Sequence, residues 1–429
     1  MGIDQGGYSP HVSHKLVYAG VQNTSFAAGS QDLRVLAELN IPEKQVERLT
    51  KQVGQERVDQ RRQQVQAFEE LPLMAKRSAG AVAHPPGLAV VSMDGGRLQI
   101  WDRRESPPGT AAEAGTAEGV ERPSESEPAE TRSGHWREDK IGLLRTMTSV
   151  ESATDPCPTI PETFVNPLRI AKLARAIKRG CPAGEDPGAD PPETEAEGDR
   201  ECPEYTPPAV RVKSMIGSRA EAKRFGVMLA AAASARGFFA AKRPAFVADG
   251  AETNWTIQKR WFSDFVPILD FIHALSYVFA AAMAGREFRR GWAVYVRWIG
   301  LVWQGCVVEV IKELEQRQEE LGRPAADESA GSPRTVVAEA LTYLRNNQTR
   351  MCYDAYRRQG LPITSSHMES TVKQFNRRVK GTEKFWSEAG AEALLQLRAD
   401  YLSETEPMEK FWQEREAAAT GRRRDRRVG

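Results

Sequence analysis

Two short apolar runs, each stopping at an Asp-Gly pair, constrain this chain more than any other feature. Leu88 to Met93 ends at Asp94-Gly95, and Pro244 to Ala248 ends at Asp249-Gly250, 155 residues further on. Runs this short and apolar, bounded by turn residues, read as strands buried in a sheet. Most of what surrounds them has a helical period. Arg169 to Arg179 reads as a basic helix and Arg219 to Ala240 as another. From Trp261 to about Glu319 aromatic and aliphatic residues recur with helical spacing, and Gly331 to Arg358 continues the pattern. A turn at Gly360-Leu361-Pro362 leads into helix that runs almost to the end. Strands, helix, strand, a large helical block and a final helix make an α/β fold.

Finer readings follow from local signals. Leu98-Gln99-Ile100 alternates after Asp94-Gly95-Gly96, which predicts an antiparallel hairpin turning at those three residues. Residues 1–28 show little periodicity and read as a flexible N-terminus. Residues 29–80 read as helical. Gln31 to Leu39 forms a helix capped by Ser30, Asn40-Ile41-Pro42 breaks it, and Pro42 opens a second helix to Val53 that Gly54 ends. A polar helix, Glu56 to Glu70, follows. Helix, tight turn, helix is the outline of a DNA-reading, helix-turn-helix-like unit, and equally of a hairpin that only packs. Two segments, about 105–133 and 182–208, are rich in Pro, Gly, Ala and acidic residues and read as disordered acidic inserts.

Charge is unevenly spread under a net value of +1. Ala183 to Glu204 carries nine acidic residues against Arg200 alone, while the tail holds Arg422, Arg423, Arg424, Arg426 and Arg427. A near-neutral total is therefore compatible with a basic working surface. The five cysteines form no CxxC pair, which speaks against zinc and suits a reducing cytosol. Phe265 to Gly285 is apolar and long enough to span a bilayer. It contains Asp270 and His273, and no second span follows, so a buried core helix is the better reading. The expectation is a cytoplasmic protein with no membrane partner.

Three acidic residues stand where chemistry is often placed. Asp94 and Asp249 follow strands, and Glu369 begins a helix 120 residues after Asp249. Attack on a phosphodiester needs a polarised phosphate, an activated hydroxyl and a stabilised leaving oxygen, which two divalent ions can supply. Mg2+ or Mn2+ take oxygen ligands, so carboxylates suit them. Each residue also has an ordinary reading: the Asp-Gly pairs as turns, and Glu369 as the end of a capping box begun by Ser366. On the helix after it, Glu369, Lys373, Arg377 and Lys380 share one face. A carboxylate followed by a basic stripe suits a phosphate backbone, and equally a solvated charged face. Asp270 and His273 lie one turn apart in an apolar segment, where they need a partner, either each other or the catalytic region.

Taken in order, these segments resemble bacterial insertion-sequence transposases of the Mutator-like DDE superfamily. "VVSMDGGRLQ" is similar to the first-aspartate strand, "HWREDKIG" to a segment that often follows it, and "FVADGAETNW" to the second-aspartate strand. "ILDFIHALSYV" is similar to an accessory Asp-x-x-His helix, and "GLPITSSHMESTVKQFNRRVKGTEKFWSEAGAEALLQLRA" to the glutamate helix and its continuation. "DLRVLAELNIPEKQVERLTKQVG" resembles the N-terminal helical region. Thr364-Ser365-Ser366 stands where such proteins often have GSG.

The resemblance implies an RNase H-like mixed sheet interrupted by a large all-helical insertion. It divides the chain into a core from 86 to 260, an insertion from 261 to 358, a last core part from 359 to 415 with the glutamate helix, and a basic tail from 416 to 429. It makes Asp94, Asp249 and Glu369 catalytic and metal-binding, Asp270 and His273 accessory, and Mg2+ or Mn2+, two ions, the cofactor. The stripe Lys373, Arg377 and Lys380 becomes DNA-binding. Partners are then double-stranded DNA (terminal inverted repeats and target DNA) and further copies of the chain assembled on it. The alternatives are an inactive transposase-derived DNA-binding protein and an RNase H-like nuclease without strand transfer.

Overall fold

The computed structural model describes residues 7–77, 84–100, 136–177, 205–381 and 384–419. Both acidic inserts, apart from residues 205–208, and the arginine-rich end of the tail lie outside them.

Six strands form one mixed sheet: β1 (Leu88–Ile100), β2 (Trp136–Thr148), β3 (Ala209–Ser218), β4 (Arg243–Ala248), β5 (Val266–Leu269) and β6 (Phe385–Trp386). Their order is β3-β2-β1-β4-β5, with β6 paired to the far end of β1. β2 is antiparallel to β1 and β3, whereas β4, β5 and β6 extend the sheet in parallel. Because helices cover both faces of its centre, Leu88 to Met93 of β1 and Ala245 to Ala248 of β4 are buried without alternation.

The hairpin predicted at Asp94-Gly95-Gly96 is absent. β1 runs straight through these residues, and its antiparallel partner is β2, with Asp94 opposite Ile141 and Gly96 opposite Asp139. The two glycines are strand residues, and Gly96 makes room for a neighbour. A Cβ there would lie 2.8 Å from the Asp139 carboxylate.

The helices are α1 (Pro10–Gln22), α2 (Phe26–Ala37), α3 (Glu43–Glu70), α4 (Leu73–Lys76), α5 (Pro167–Ile177), α6 (Ala222–Ala235), α7 (Glu252–Trp261), α8 (Phe271–Met283), α9 (Phe288–Trp303), α10 (Val307–Leu321), α11 (Pro333–Asn347), α12 (Tyr353–Arg358), α13 (Ser366–Val379), α14 (Glu388–Leu402) and α15 (Pro407–Ala418). Helix α6 ends earlier than Ala240, and a 3-10 turn, Phe238–Ala240, follows it. The apolar run from Phe265 is divided between β5 and α8. No helix among the described residues is long and apolar enough to cross a membrane.

One face of the sheet packs on α6 and, through β4 and β5, shares a continuous apolar core with α8 to α11. The segment between β5 and α13 is all helical apart from turns. It is anchored to the sheet by α12, whose Tyr353 and Tyr356 hydroxyls donate to the Leu269 and Pro267 carbonyls at 3.0 and 3.2 Å. The other face carries α13, α14 and the N-terminal helices.

That second layer corrects the reading of residues 1–28 as flexible. Ser9 caps α1, and Leu16, Val17 and Val21 are fully buried. Gly20 fits against Thr50 so closely that a Cβ would sit 2.2 Å from the threonine hydroxyl. The cap of α2 is Ser25, which accepts from Ala28 N at 3.0 Å. Ser30 lies inside the helix and donates to Ile41 O at 2.6 Å. Nor does Gly54 end a helix. α3 continues past it to Glu70 and is 28 residues long. Gly54 is where α3 meets α14, and a Cβ there would lie 2.7 Å from Ala393. Arg57 then pairs with Asp400 at 2.9 Å across the same seam. Of the cysteines, Cys306 and Cys352 are free thiols. Cys157 is disulfide-bonded.

Candidate active site

The parallel pairing of β1 with β4 ends at Ser92 opposite Val247. Two residues beyond it on each strand stand Asp94 and Asp249. On the neighbouring strand, Asp270 directly follows β5. Three acidic residues thus occupy the carboxyl end of the parallel half of the sheet, where side chains from separate segments converge. Glu369, in the first turn of α13, comes to the same place.

Asp249 is oriented by its own loop. Its Oδ1 accepts from Ala251 N at 3.0 Å and from the Asn254 side chain at 2.7 Å. Its carbonyl accepts from the Tyr343 hydroxyl at 2.7 Å, and Tyr343 lies flat on Tyr277 with ring centroids 3.7 Å apart. Gly250 has φ +95°, and a Cβ there would be 2.7 Å from the Tyr343 hydroxyl. Gly250→Ala is therefore expected to cost about 2 kcal/mol, from a left-handed backbone and a displaced tyrosine. A urea midpoint equal to wild type would disprove that.

Asp94 accepts from Gly95 N at 2.7 Å. Burial, followed by the charges of Asp249 and Glu369, pushes its pKa up to about 6, against the pull of Gly95 N–H and His273. Glu369 is raised too, by burial and by Asp270, with His273 and Lys373 opposing. The capping-box reading of Glu369 fails, because Ser365 is the cap residue of α13 and makes no side-chain capping bond.

The Ser365 hydroxyl donates instead to Asp270, which also accepts from Ser365 N at 3.1 Å and from Ile272 N at 2.8 Å. One buried carboxylate thereby fixes the start of α8 and the entry to α13, and with it the position of Glu369. His273 Nδ1 lies 3.4 Å from the Asp270 carboxylate, an ion-pair distance. Burial disfavours the imidazolium, but Asp270, Asp249 and Glu369 outweigh it and raise the His273 pKa to about 9. Beneath them Arg145 is buried, donating to Ser92 Oγ at 2.9 Å. Burial brings its pKa down to about 10, against the charge of Asp270.

The stripe Lys373, Arg377 and Lys380 is exposed along α13. Arg378 lies off this stripe. It is buried, lies 4.4 Å over the Phe26 ring and donates to Gly20 O at 2.9 Å, which ties α13 to the N-terminal helices.

The structure therefore brings Asp94, Asp249, Glu369, Asp270 and His273 into one electrostatic cluster. It does not close them into a ligand cage: among the described residues no three His, Cys, Asp or Glu side chains are placed to hold a metal ion as they stand. Sequence reasoning missed Asn254, Tyr343, Ser365 and Arg145, whose roles depend on contacts between distant segments. It also passed over Asp139, which is 1% exposed. Among the described residues its two carboxylate oxygens have no side-chain or backbone partner in another residue, and burial pushes its pKa up to about 6. Comparison with protein-family models and with curated proteins gave no match.

Proposed function

We propose that this chain is a DDE-type DNA transposase with an RNase H-like core, which cleaves and transfers the strands of an insertion sequence in a metal-dependent reaction. The observation that carries the reading is the meeting of Asp94, Asp249 and Glu369 at one end of the parallel strands. They are far apart in sequence, yet Asp94 feels the charge of both others. The mixed sheet, followed by an all-helical segment before the glutamate helix, has the layout that the resemblance to Mutator-like insertion-sequence transposases implies.

The donor set suits Mg2+ or Mn2+, since it offers carboxylate oxygens and no thiolate. Mutual repulsion of the acids is the cost that a dication relieves. Asp94, Asp249 and Glu369 would hold the ions, which when bound polarise the phosphate and stabilise the attacking and leaving oxygens. The protein's own part is to aim the carboxylates. Asn254 and Tyr343 set Asp249, and Asp270 through Ser365 sets Glu369. Bound DNA is the remaining oxygen source, and the stripe on α13 faces its backbone. In this reading the partners are the element's inverted repeats, target DNA and further copies of the chain, as joining two ends requires.

The second reading is a transposase-derived DNA-binding protein without activity. A single assay separates the two. Purified chain is incubated with a labelled inverted-repeat duplex and Mg2+ or Mn2+. Strand joining supports the transposase, nicks alone indicate a nuclease, and intact but bound DNA indicates the inactive relative. Replacing Lys373, Arg377 and Lys380 together with Ala should lower the slope of log affinity against log salt by about 2 to 3, because each phosphate contact contributes about 0.9. An unchanged slope would show that the stripe is an ordinary solvated face.

A further inference from the structure

Behind the Asp249 loop a cleft of about 410 Å³ opens between α7 and the end of α11. It shares a wall with the candidate active site, because Gly250 and Tyr343 line both. On its other side stand Lys259, Asn346 and Arg350. Lys259 and Asn346 are exposed. Arg350 lies over Trp255, its guanidinium carbon 4.4 Å from the ring centroid. It donates to Asn346 O at 2.9 Å and Asn347 Oδ1 at 3.1 Å, and makes no ion pair with any carboxylate among the described residues. The cleft thus presents two cations, Lys259 and Arg350, and two amides, Asn346 and Asn347, with Glu252 as its one acidic wall among the described residues.

We infer that this cleft is an anion subsite that takes a backbone phosphate of the DNA strand next to the one held at Asp249. The inference rests on the proposed function and adds the place where the flanking strand is gripped. Three features argue for it. The volume lies at the small end of ligand clefts, enough for one phosphate with its sugar. Arg350 is pre-set by Trp255 and by two acceptors, so little side-chain entropy is lost when it meets an oxyanion; planar stacked arginines suit phosphate for this reason. The cleft also adjoins the Asp249 loop directly, so a strand whose scissile phosphate sits at Asp249 has its neighbouring phosphates within reach. The stripe on α13 lies on a different element, so the two surfaces make separable contributions to DNA binding.

The test uses the full chain carrying Asp249→Asn, so that DNA is bound and not consumed. Binding of a labelled inverted-repeat duplex is followed by anisotropy across a salt series, for this background and for added Lys259→Ala, Arg350→Lys, or both. Arg350→Lys keeps the charge and removes the planar guanidinium, and thermal melting verifies that the variants are folded. The expected result is a five- to tenfold loss of affinity for the double variant. Its salt slope should fall by about 1, since Lys259→Ala removes one phosphate contact worth about 0.9 while Arg350→Lys keeps its charge. Inorganic phosphate at millimolar concentration should weaken the background protein more than the double variant. An unchanged affinity and slope would overturn the subsite while leaving the transposase reading in place, provided the α13 stripe variant does lose affinity. If the background protein binds no DNA at all, both readings fall. If phosphate competes equally with all variants, the anion site lies elsewhere and the inference fails.

Discussion

Asp249→Asn should abolish metal-dependent strand cleavage, by roughly three orders of magnitude or more, and leave DNA affinity within a few fold of wild type. The substitution keeps size and shape. Its Oδ1 still accepts from Asn254 and Ala251 as the aspartate does at 2.7 and 3.0 Å. What disappears is one unit of negative charge at the place proposed for a dication. Ligation of that kind is worth several kcal/mol in the transition state, and each 1.4 kcal/mol is tenfold in rate. A second readout needs no catalysis. Asp94 is held near pKa 6 by burial and then by the Asp249 charge, so in Asp249→Asn its carboxyl should titrate lower. Carbon-detected NMR of the aspartate carboxyls would follow this. If cleavage survives in the variant at wild-type rate, Asp249 is a turn residue and the triad is wrong. If cleavage and affinity are lost together while the fold is intact, Asp249 contributes to binding and the division of labour argued above fails.

What could be read in advance, and what could not, follows from the range of the forces involved. The strands at Leu88 and Arg243 were legible because a sheet centre covered on both faces selects continuous apolar residues. Acidic residues at the ends of those strands were legible as candidates for the same reason, although each had an ordinary alternative. The turn at Asp94-Gly95-Gly96 was misread. Glycine pairs are a turn signal locally, but here one glycine gives space to Asp139 on β2, more than 40 residues away. Gly54 misled similarly, since its lack of a side chain serves the approach of α14 from the other end of the chain. The four-residue strand β5 was absorbed into an apolar run, although Pro267 within it and the Asp270 cap that follows both speak against a continuous helix. The N-terminal helix escaped notice because its buried face packs on α2 and α3 and is finished by partners near residue 400, among them the Arg398 side chain, which donates to Gln22. Capping at Ser365, the Asn254 contact and the Tyr343 hydroxyl are equally products of tertiary placement. Periodicity carries no information about them.

In metal-free protein, stability should fall as pH rises from about 6.5 to about 9, and His273→Gln should remove most of that fall. The imidazole is pressed by burial toward the neutral form, yet it faces Asp270 on its own helix, Asp249 after β4 and Glu369 on α13. These carboxylates raise its pKa to about 9. The unfolded value is about 6.5. A group whose folded pKa is raised binds its proton more tightly when folded. Its stabilisation is therefore complete below the unfolded value and lost as pH climbs to the folded one. The full shift corresponds to about 3 kcal/mol at roughly 1.4 kcal/mol per pKa unit. The 3.4 Å separation from Asp270, longer than a good hydrogen bond, argues for about 2 kcal/mol in practice. Urea unfolding at several pH values in the presence of a chelator measures it. Parallel curves for wild type and His273→Gln would show that the histidine does not titrate in this window. In the metal-free protein the raised pKa keeps the side chain a cation at neutral pH. Its work is to offset the charge of three carboxylates until a dication replaces it in that role. Adding Mn2+ should accordingly lower the His273 pKa and flatten the wild-type curve, whereas Asp249→Asn should weaken that effect.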